Sequence, residues 1–386
     1  MLFLYFKLII LFLLLSITTV FAEGDGGGGA GGGKCYCDKP IPNIKKTKAI
    51  LNMHSKWVID QSQGEQANFS KIDLVKLINV YKINSLIEFR NANFEWACIN
   101  GIKNFNNWNW DSIFYESNFR YACLMGNKFD KATFEKTNLK NAHFDLSSLK
   151  GAKLLECNVS DTSFNGVDLA GAVYEVKPGT IPSLADIARA INLWQLTYES
   201  SPQSLVELRN ALKIAGFREQ ERQLTYAIKH NHIKKAGRIE RYFNYVFFEL
   251  TCKWGMLPFR PLLIVAMMIP IFSLIYLIFL IKDSDDGIWR YWPPDRMKIV
   301  QTTNERELLK IRKGNSLFYA LYFSLLSAFR IGWRDVNVGI WISRFQPREY
   351  SLQATGMARF ISGLQSLISV YLLALSILTY FGRPFE

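Results

Sequence analysis

Every fifth residue from Phe114 onward is apolar: Phe114, Phe119, Leu124, Phe129, Phe134, Leu139, Phe144, Leu149, Leu154, Val159, Phe164, Leu169 and Tyr174. The residue two places earlier is small or modest in almost every case, from Ser112 and Ser117 to Val167 and Ala172, and the remaining positions are mostly polar or charged. A period of five matches neither the 3.6 residues of a helical face nor the two of a half-buried strand. The register reaches back through Phe69, Leu74, Phe89, Phe94 and Ile99. Asn79, Asn84, Asn104 and Asn109 occupy core slots between them and read as irregular coils or loops.

The segments Asn91-Ala92-Asn93-Phe94-Glu95 and Asn141-Ala142-His143-Phe144-Asp145 show the pattern of an Ala, any residue, a Leu or Phe, and two more. Over 67–176 the chain resembles the pentapeptide-repeat family. The resemblance implies a right-handed quadrilateral β-helix with four pentapeptides per coil. Each coil would turn its large residue and small partner inward, and stacked coils would bury a column that no single repeat could bury alone. About five coils at the ~4.8 Å strand spacing make a rod of roughly 25 Å. Some members of this family mimic DNA with strongly acidic surfaces. Here 12 acidic residues balance 12 Lys and Arg across 67–176, so that field is absent.

The formal charge of +13 divides into +2 for 1–66, 0 for 67–176 and +11 for 177–386. The basic C-terminal half also carries the long apolar runs, so its Lys and Arg read as membrane flanks and no nucleic-acid partner is expected. Stretches 262–281 and 360–381 are uncharged and long enough to cross ~30 Å of hydrocarbon. Pro270 falls inside the first, while Trp289, Trp292, Tyr371 and Tyr380 suit the interfacial aromatic pattern. Lys282, Arg290, Arg296, Lys298, Arg344, Arg348 and Arg359 flank the intervening loop, against Lys253, Arg260 and Arg383 outside it. Seven to three places the loop in the cytoplasm and the repeat outside. Residues 1–22, with Lys7, an apolar run and Val20-Phe21-Ala22, read as a secretory signal peptide or an uncleaved anchor. Either version exports the repeat.

The expected organisation is a leader at 1–22, a Gly-rich linker and lead-in at 23–66, the β-helix at 67–176, a helical hairpin spacer at 183–237 and a membrane region at 238–386. In the hairpin, Ser204 and Glu207 have capping-box spacing, and Leu205, Leu208, Leu212 and Ile214 form an apolar stripe. His230 and His232 point to different helix faces, which suits a solvated role better than metal ligation. Cys35 and Cys37 lack zinc-finger spacing and read as a disulfide or free thiols.

Between the spans, the uncharged run 317–329 leads into Arg330-Ile331-Gly332-Trp333-Arg334-Asp335. The placement is distantly like that of a two-span potassium channel, where a pore helix precedes a TVGYG filter and Asp. Arg330 and Arg334 depart from that pattern, and they would ring the pathway with guanidinium groups where potassium must shed water. Arg330, Gly332, Trp333, Arg334 and Asp335 are therefore candidates for a non-potassium pore or for contact with lipid phosphate, with 317–329 flat on the bilayer. No phosphate-binding loop, nucleophile beside a histidine or metal-spaced carboxylate cluster stands out, so neither an enzyme nor a cofactor is expected. The arrangement resembles bacterial membrane-bound pentapeptide-repeat proteins. It points to an inner-membrane binding scaffold that contacts lipid and an unidentified protein partner or a second copy of itself.

Overall fold

The computed structural model describes residues 44–60, 62–71, 91–98, 114–281, 287–291, 306–308, 316–329, 351–382 and 385, all within one packed unit, Cys37–Glu386. The expected leader and Cys35 lie outside the described residues. Parallel strands β1 (Phe114–Tyr115), β2 (Thr133–Glu135), β3 (Lys153–Leu155) and β4 (Val173–Glu175) form one face in the order β1-β2-β3-β4. Phe114 pairs with Phe134, Phe134 with Leu154 and Leu154 with Tyr174. Each partner lies 134 − 114 = 20 residues on, which is four pentapeptides per coil.

The turn that closes each pentapeptide sets the inward line. Two residues after each large side chain the backbone is left-handed, with φ of 54° at Glu116, 62° at Lys131, 52° at Lys136 and 51° at Glu156. A side-chain-bearing residue in that region costs roughly 1–2 kcal/mol. Backbone hydrogen bonds to the following coil offset that strain, since Lys131 N donates to Lys150 O and Lys136 N to Leu155 O. The inward small slot tolerates hydroxyls because they find carbonyls on the coil below: Ser147 Oγ donates to Leu124 O at 2.7 Å and Thr162 Oγ1 to Leu139 O at 2.8 Å. On another face Asn68, Asn93, Asn118, Asn138 and Asn158 stack coil on coil. Asn93, Asn118 and Asn138 each donate an amide Nδ2 to the Asn below at 3.4, 3.2 and 3.3 Å.

The first two coils are longer than the pattern implies. Asn68 pairs with Asn93 and Asn93 with Asn118, a step of 93 − 68 = 25 residues. One extra pentapeptide leaves the five-residue phase intact, so the uniform four-per-coil expectation is corrected here. The rings respect the longer step, Phe69 stacking on Phe94 at 5.4 Å and Phe94 on Phe119 at 4.6 Å. Asn79, Asn84, Asn104 and Asn109 lie outside the described residues.

Both ends of the column are covered. Helix α1, Ile44–Ile59, occupies what the sequence reads as lead-in; its Ile50 packs on the repeat core, and Ala67 N donates to the buried His54 Nδ1 at 3.1 Å. Gly64 is required where the chain leaves α1, because a Cβ there would stand 2.2 Å from Met53 O and φ is +89°. At the other end the pairings Asp168 with Ile191 and Val173 with Thr197 lay down a final irregular coil. It contains helix α2 (Leu184–Ile187) and a 3₁₀ turn (Leu193–Gln195).

Helices α3 (Gln203–Ile214) and α4 (Arg218–Lys235) follow. Leu205, Leu208 and Leu212 join the same apolar cluster as the coils, so the hairpin caps the column, while Ile214 is 88% exposed and leaves the predicted stripe. The expected capping box does not form. Ser204 sits inside α3 and donates to Val176 O at 2.9 Å, and Glu207 instead accepts from Gly179 N at 3.0 Å. The last coil has free edges to satisfy, and both side chains turn to them.

Helix α5 (Arg238–Asn244) continues through a π-helical turn (Tyr245–Glu249) into α6 (Leu250–Cys252). Then come α7 (Arg260–Ile281), α8 (Ser316–Ala328) and α9 (Gly356–Phe381). Strands β5 (Ile288–Tyr291), β6 (Arg306–Leu308) and β7 (Ser351–Ala354) form an antiparallel sheet ordered β6-β5-β7. This sheet has no counterpart in the sequence reading. Pairing Ile288 with Ala354 brings the end of α7 beside the start of α9.

Candidate functional site

The twelve repeat residues singled out in sequence, Phe114 through Leu169, are each at most 3% exposed and line one cluster. They build the rod and offer nothing to solvent. What faces solvent is the outer side of the coils, and the junction is where they meet the apolar helices.

That junction is built from α4, the π turn, the loop at Trp254 and the end of α9. Tyr226, Cys252, Trp254, Leu375 and Phe385 form its buried centre, with Trp194, Phe248 and Tyr371 packed around it. Arg222 donates from α4 to Thr379 O at 3.0 Å and Tyr380 O at 3.3 Å, and Arg218 also donates to Tyr380 O. These are terminal carbonyls of α9, which lack helical partners and carry the negative end of its dipole. The β-helix cap is thereby bolted to the last apolar helix. Sequence reasoning passed over Arg218 and Arg222; nothing local marks them, since their acceptors lie about 160 residues away.

Beside the clamp, Tyr226 OH donates to Glu249 Oε1 at 2.7 Å, and His230 Nδ1 stands 3.8 Å from Glu249 Oε2. The Tyr226 and His230 rings stack at 5.2 Å. His230 therefore serves packing and charge at the junction. Burial pushes the Glu249 carboxyl upward, but bonds from His230 and Tyr226 and the charges of His230 and Lys253 outweigh it and hold it below the usual 4.5. A lowered folded value means that Glu249 stabilises the junction above the unfolded pKa and stops doing so as pH falls through the folded one. Protection of the α4 amides from hydrogen exchange is thus expected to drop as pH is lowered below about 4.5, and Glu249→Gln to flatten that dependence. An unchanged pH profile in the variant would remove the role.

The apolar helices are polar on the inside. Tyr276 OH donates to Gln365 Oε1 at 2.8 Å, Gln365 Nε2 to Ser324 Oγ at 2.9 Å, and Ser324 Oγ to Ile269 O at 2.7 Å. Ser362 Oγ donates to Ser327 Oγ at 2.8 Å. On α9 the buried positions Ala358, Ser362, Gln365, Ser369, Leu372, Ser376 and Thr379 alternate by four and three, with Leu375 buried beside them; Ser362 and Gln365 face α7 and α8, and Ser376 donates to Pro258 O at 2.9 Å ahead of α7. The outer surface is apolar: Phe360, Leu367, Ile377 and Phe381 are 66, 68, 59 and 76% exposed. Helix α8 is wedged against both long helices through Ser324, Ser327 and Phe323, a correction to the expectation that 317–329 lies flat on a bilayer. Tyr371, expected at an interface, donates its hydroxyl to Phe247 O at 2.6 Å. Arg330, Gly332, Trp333, Arg334 and Asp335 lie outside the described residues.

Residues 128–166 match the family model for pentapeptide repeats, in eight copies. Among solved structures the chain is similar to HetL, a pentapeptide repeat protein involved in heterocyst differentiation regulation from the cyanobacterium Nostoc. Identity is 15% and the TM-score 0.19, over 41% of this chain and 61% of that one. It is also similar to a pentapeptide repeat protein of the Arabidopsis thaliana thylakoid lumen, at 20% identity and TM-score 0.16, over 30% of this chain and 78% of that one. No curated protein matches the sequence. The family match and the twenty-residue coil step identify a pentapeptide-repeat β-helix.

Proposed function

We propose that this chain is a membrane-anchored, non-enzymatic scaffold that holds a pentapeptide-repeat β-helix rigidly against a bilayer, as bacterial inner-membrane proteins of this kind would. The observation that carries the reading is the inverted polarity of α7 and α9. In the most apolar 18-residue stretch of each, only 22% and 33% is buried, so most of that surface needs an apolar solvent. Tyr276, Gln365, Ser324, Ser327 and Ser362 spend their polar groups on one another or on a helix carbonyl inside, as helices in lipid require. That internal pairing favours an anchor over the alternative of an oligomeric pore.

The Arg218 and Arg222 clamp then fixes the attitude of the rod. Its outer faces would dock an unidentified protein or a second copy, with lipid around α7 and α9. A charge-balanced repeat gives nucleic acid no purchase.

In this reading the repeat lies outside the cytoplasm. Cys98 and Cys123 are each disulfide-bonded, and disulfides persist in oxidising compartments. This supports the orientation independently of the apolar N-terminus and the seven-to-three charge count. A reporter fused after Lys177 is expected to behave as exported and one inserted near Thr302 as cytoplasmic. The opposite pair of signals would overturn the orientation.

A further inference from the structure

From Arg238 to Cys252 the helical segment carries an apolar stripe at Ile239, Tyr242, Phe243, Val246 and Phe247, the i, i+3, i+4, i+7, i+8 spacing that normally faces a core. Here it faces away from the molecule. Ile239 is 75% exposed, Tyr242 68%, Phe243 55% and Phe247 41%. The stripe is continuous with the lipid-facing side of the membrane helices. Phe247 packs its ring on Tyr371 at 5.7 Å, and Phe259, just before α7, and Leu262 and Leu263 in its first turn are 58, 41 and 56% exposed. Lys234, Arg238 and Arg241 are exposed at the start of the segment, against the single exposed acid Glu240.

We propose that α5, the π turn and α6 lie in the interface of the same bilayer that α7 and α9 cross. The stripe enters the acyl boundary, and Lys234, Arg238 and Arg241 meet lipid phosphates. This rests on the membrane reading of α7 and α9. Its physical basis is the match of a high-contrast amphipathic face to the headgroup boundary, with basic residues at anionic lipid. The segment thus becomes a collar that sets the height of the β-helix above the membrane. Adding Lys234, Arg238 and Arg241 to the outer flank raises its count from three to 3 + 3 = 6 against seven, so the orientation leans more on the cysteine oxidation than on charge.

The test uses the full chain, with Cys35→Ser and Cys37→Ser, in vesicles of phosphatidylethanolamine and phosphatidylglycerol. Bimane is attached at Ile239→Cys or Phe243→Cys, with Leu367→Cys as the lipid control and Ile214→Cys as the water control. Nitroxide lipids are expected to quench positions 239 and 243 at least about twofold more than 214, and iodide on both sides of the vesicle to quench them less. If 239 and 243 follow 214 while 367 follows lipid, the collar falls and the anchor stands. If 367 also behaves as water-exposed, the anchor itself fails and takes the collar with it. If neither quencher reaches 243, protein covers the stripe, a second copy or a partner, and the proposal is overturned.

Discussion

Phe134→Asp abolishes the protection of the coil amides in the full chain, while Lys131→Asp leaves stability within about 0.5 kcal/mol of the parent. Phe134 has no exposed surface, and its ring meets those of Phe114, Phe119, Phe129 and Phe144 at 5.1 to 6.4 Å. Truncating such a phenylalanine costs about 3–5 kcal/mol, and a carboxylate set in its place adds several more for desolvation. The sum rivals the ~5–15 kcal/mol that holds a domain together. Lys131 points outward, and its φ of 62° is one that Asp tolerates. Hydrogen exchange in detergent reads the difference directly. Equal protection in the two variants would mean that the column is not the source of stability.

The cap is the second place where one residue has a large effect. Leu208 is 1% exposed and lies in the cluster that continues the repeat core, whereas Ile214, at the end of the same helix, is 88% exposed. Leu208→Asp is expected to lift α3 off the last coil at a cost of about 3 kcal/mol or more. The pairs Asp168–Ile191 and Val173–Thr197 then lose their cover and leave an unpaired strand edge that recruits other chains. The signs are rapid exchange at 168–197 and a shift to large species on size exclusion. Ile214→Asp serves as the control and stays monodisperse. A Leu208→Asp protein with the parental profile would show that the hairpin is only a spacer.

The period of five made the β-helix legible, because each of its large residues falls where a turn every five residues must bury it. The same regularity concealed the coil length. A whole extra pentapeptide moves no side chain off its face, so only the pairing of Asn68 with Asn93, 25 residues apart, reveals it. The trace was in the sequence: Phe69, Phe94 and Phe119 repeat at 25, with two Asn slots inside each interval.

The apolar runs at 262–281 and 360–381 were equally plain, since a bilayer selects on length and hydropathy alone. Their inner faces were not, because a serine or glutamine in such a run does not announce its partner. Gln365 acquires a role only when Ser324, 41 positions earlier, is brought beside it.

The Ser204 and Glu207 pair shows where local rules yield. As an isolated helix start they would cap each other, but the open edge of the last coil offers Val176 O and Gly179 N, groups that would otherwise be left unsatisfied, and it takes both side chains. Sequence determined what turns inward along the rod and which helices are long and apolar enough to span a membrane, because those features follow from each residue's own solvation and spacing. Tertiary structure decided the coil lengths, the caps and the Arg218 and Arg222 clamp, because each depends on groups that only the folded chain brings within hydrogen-bonding reach.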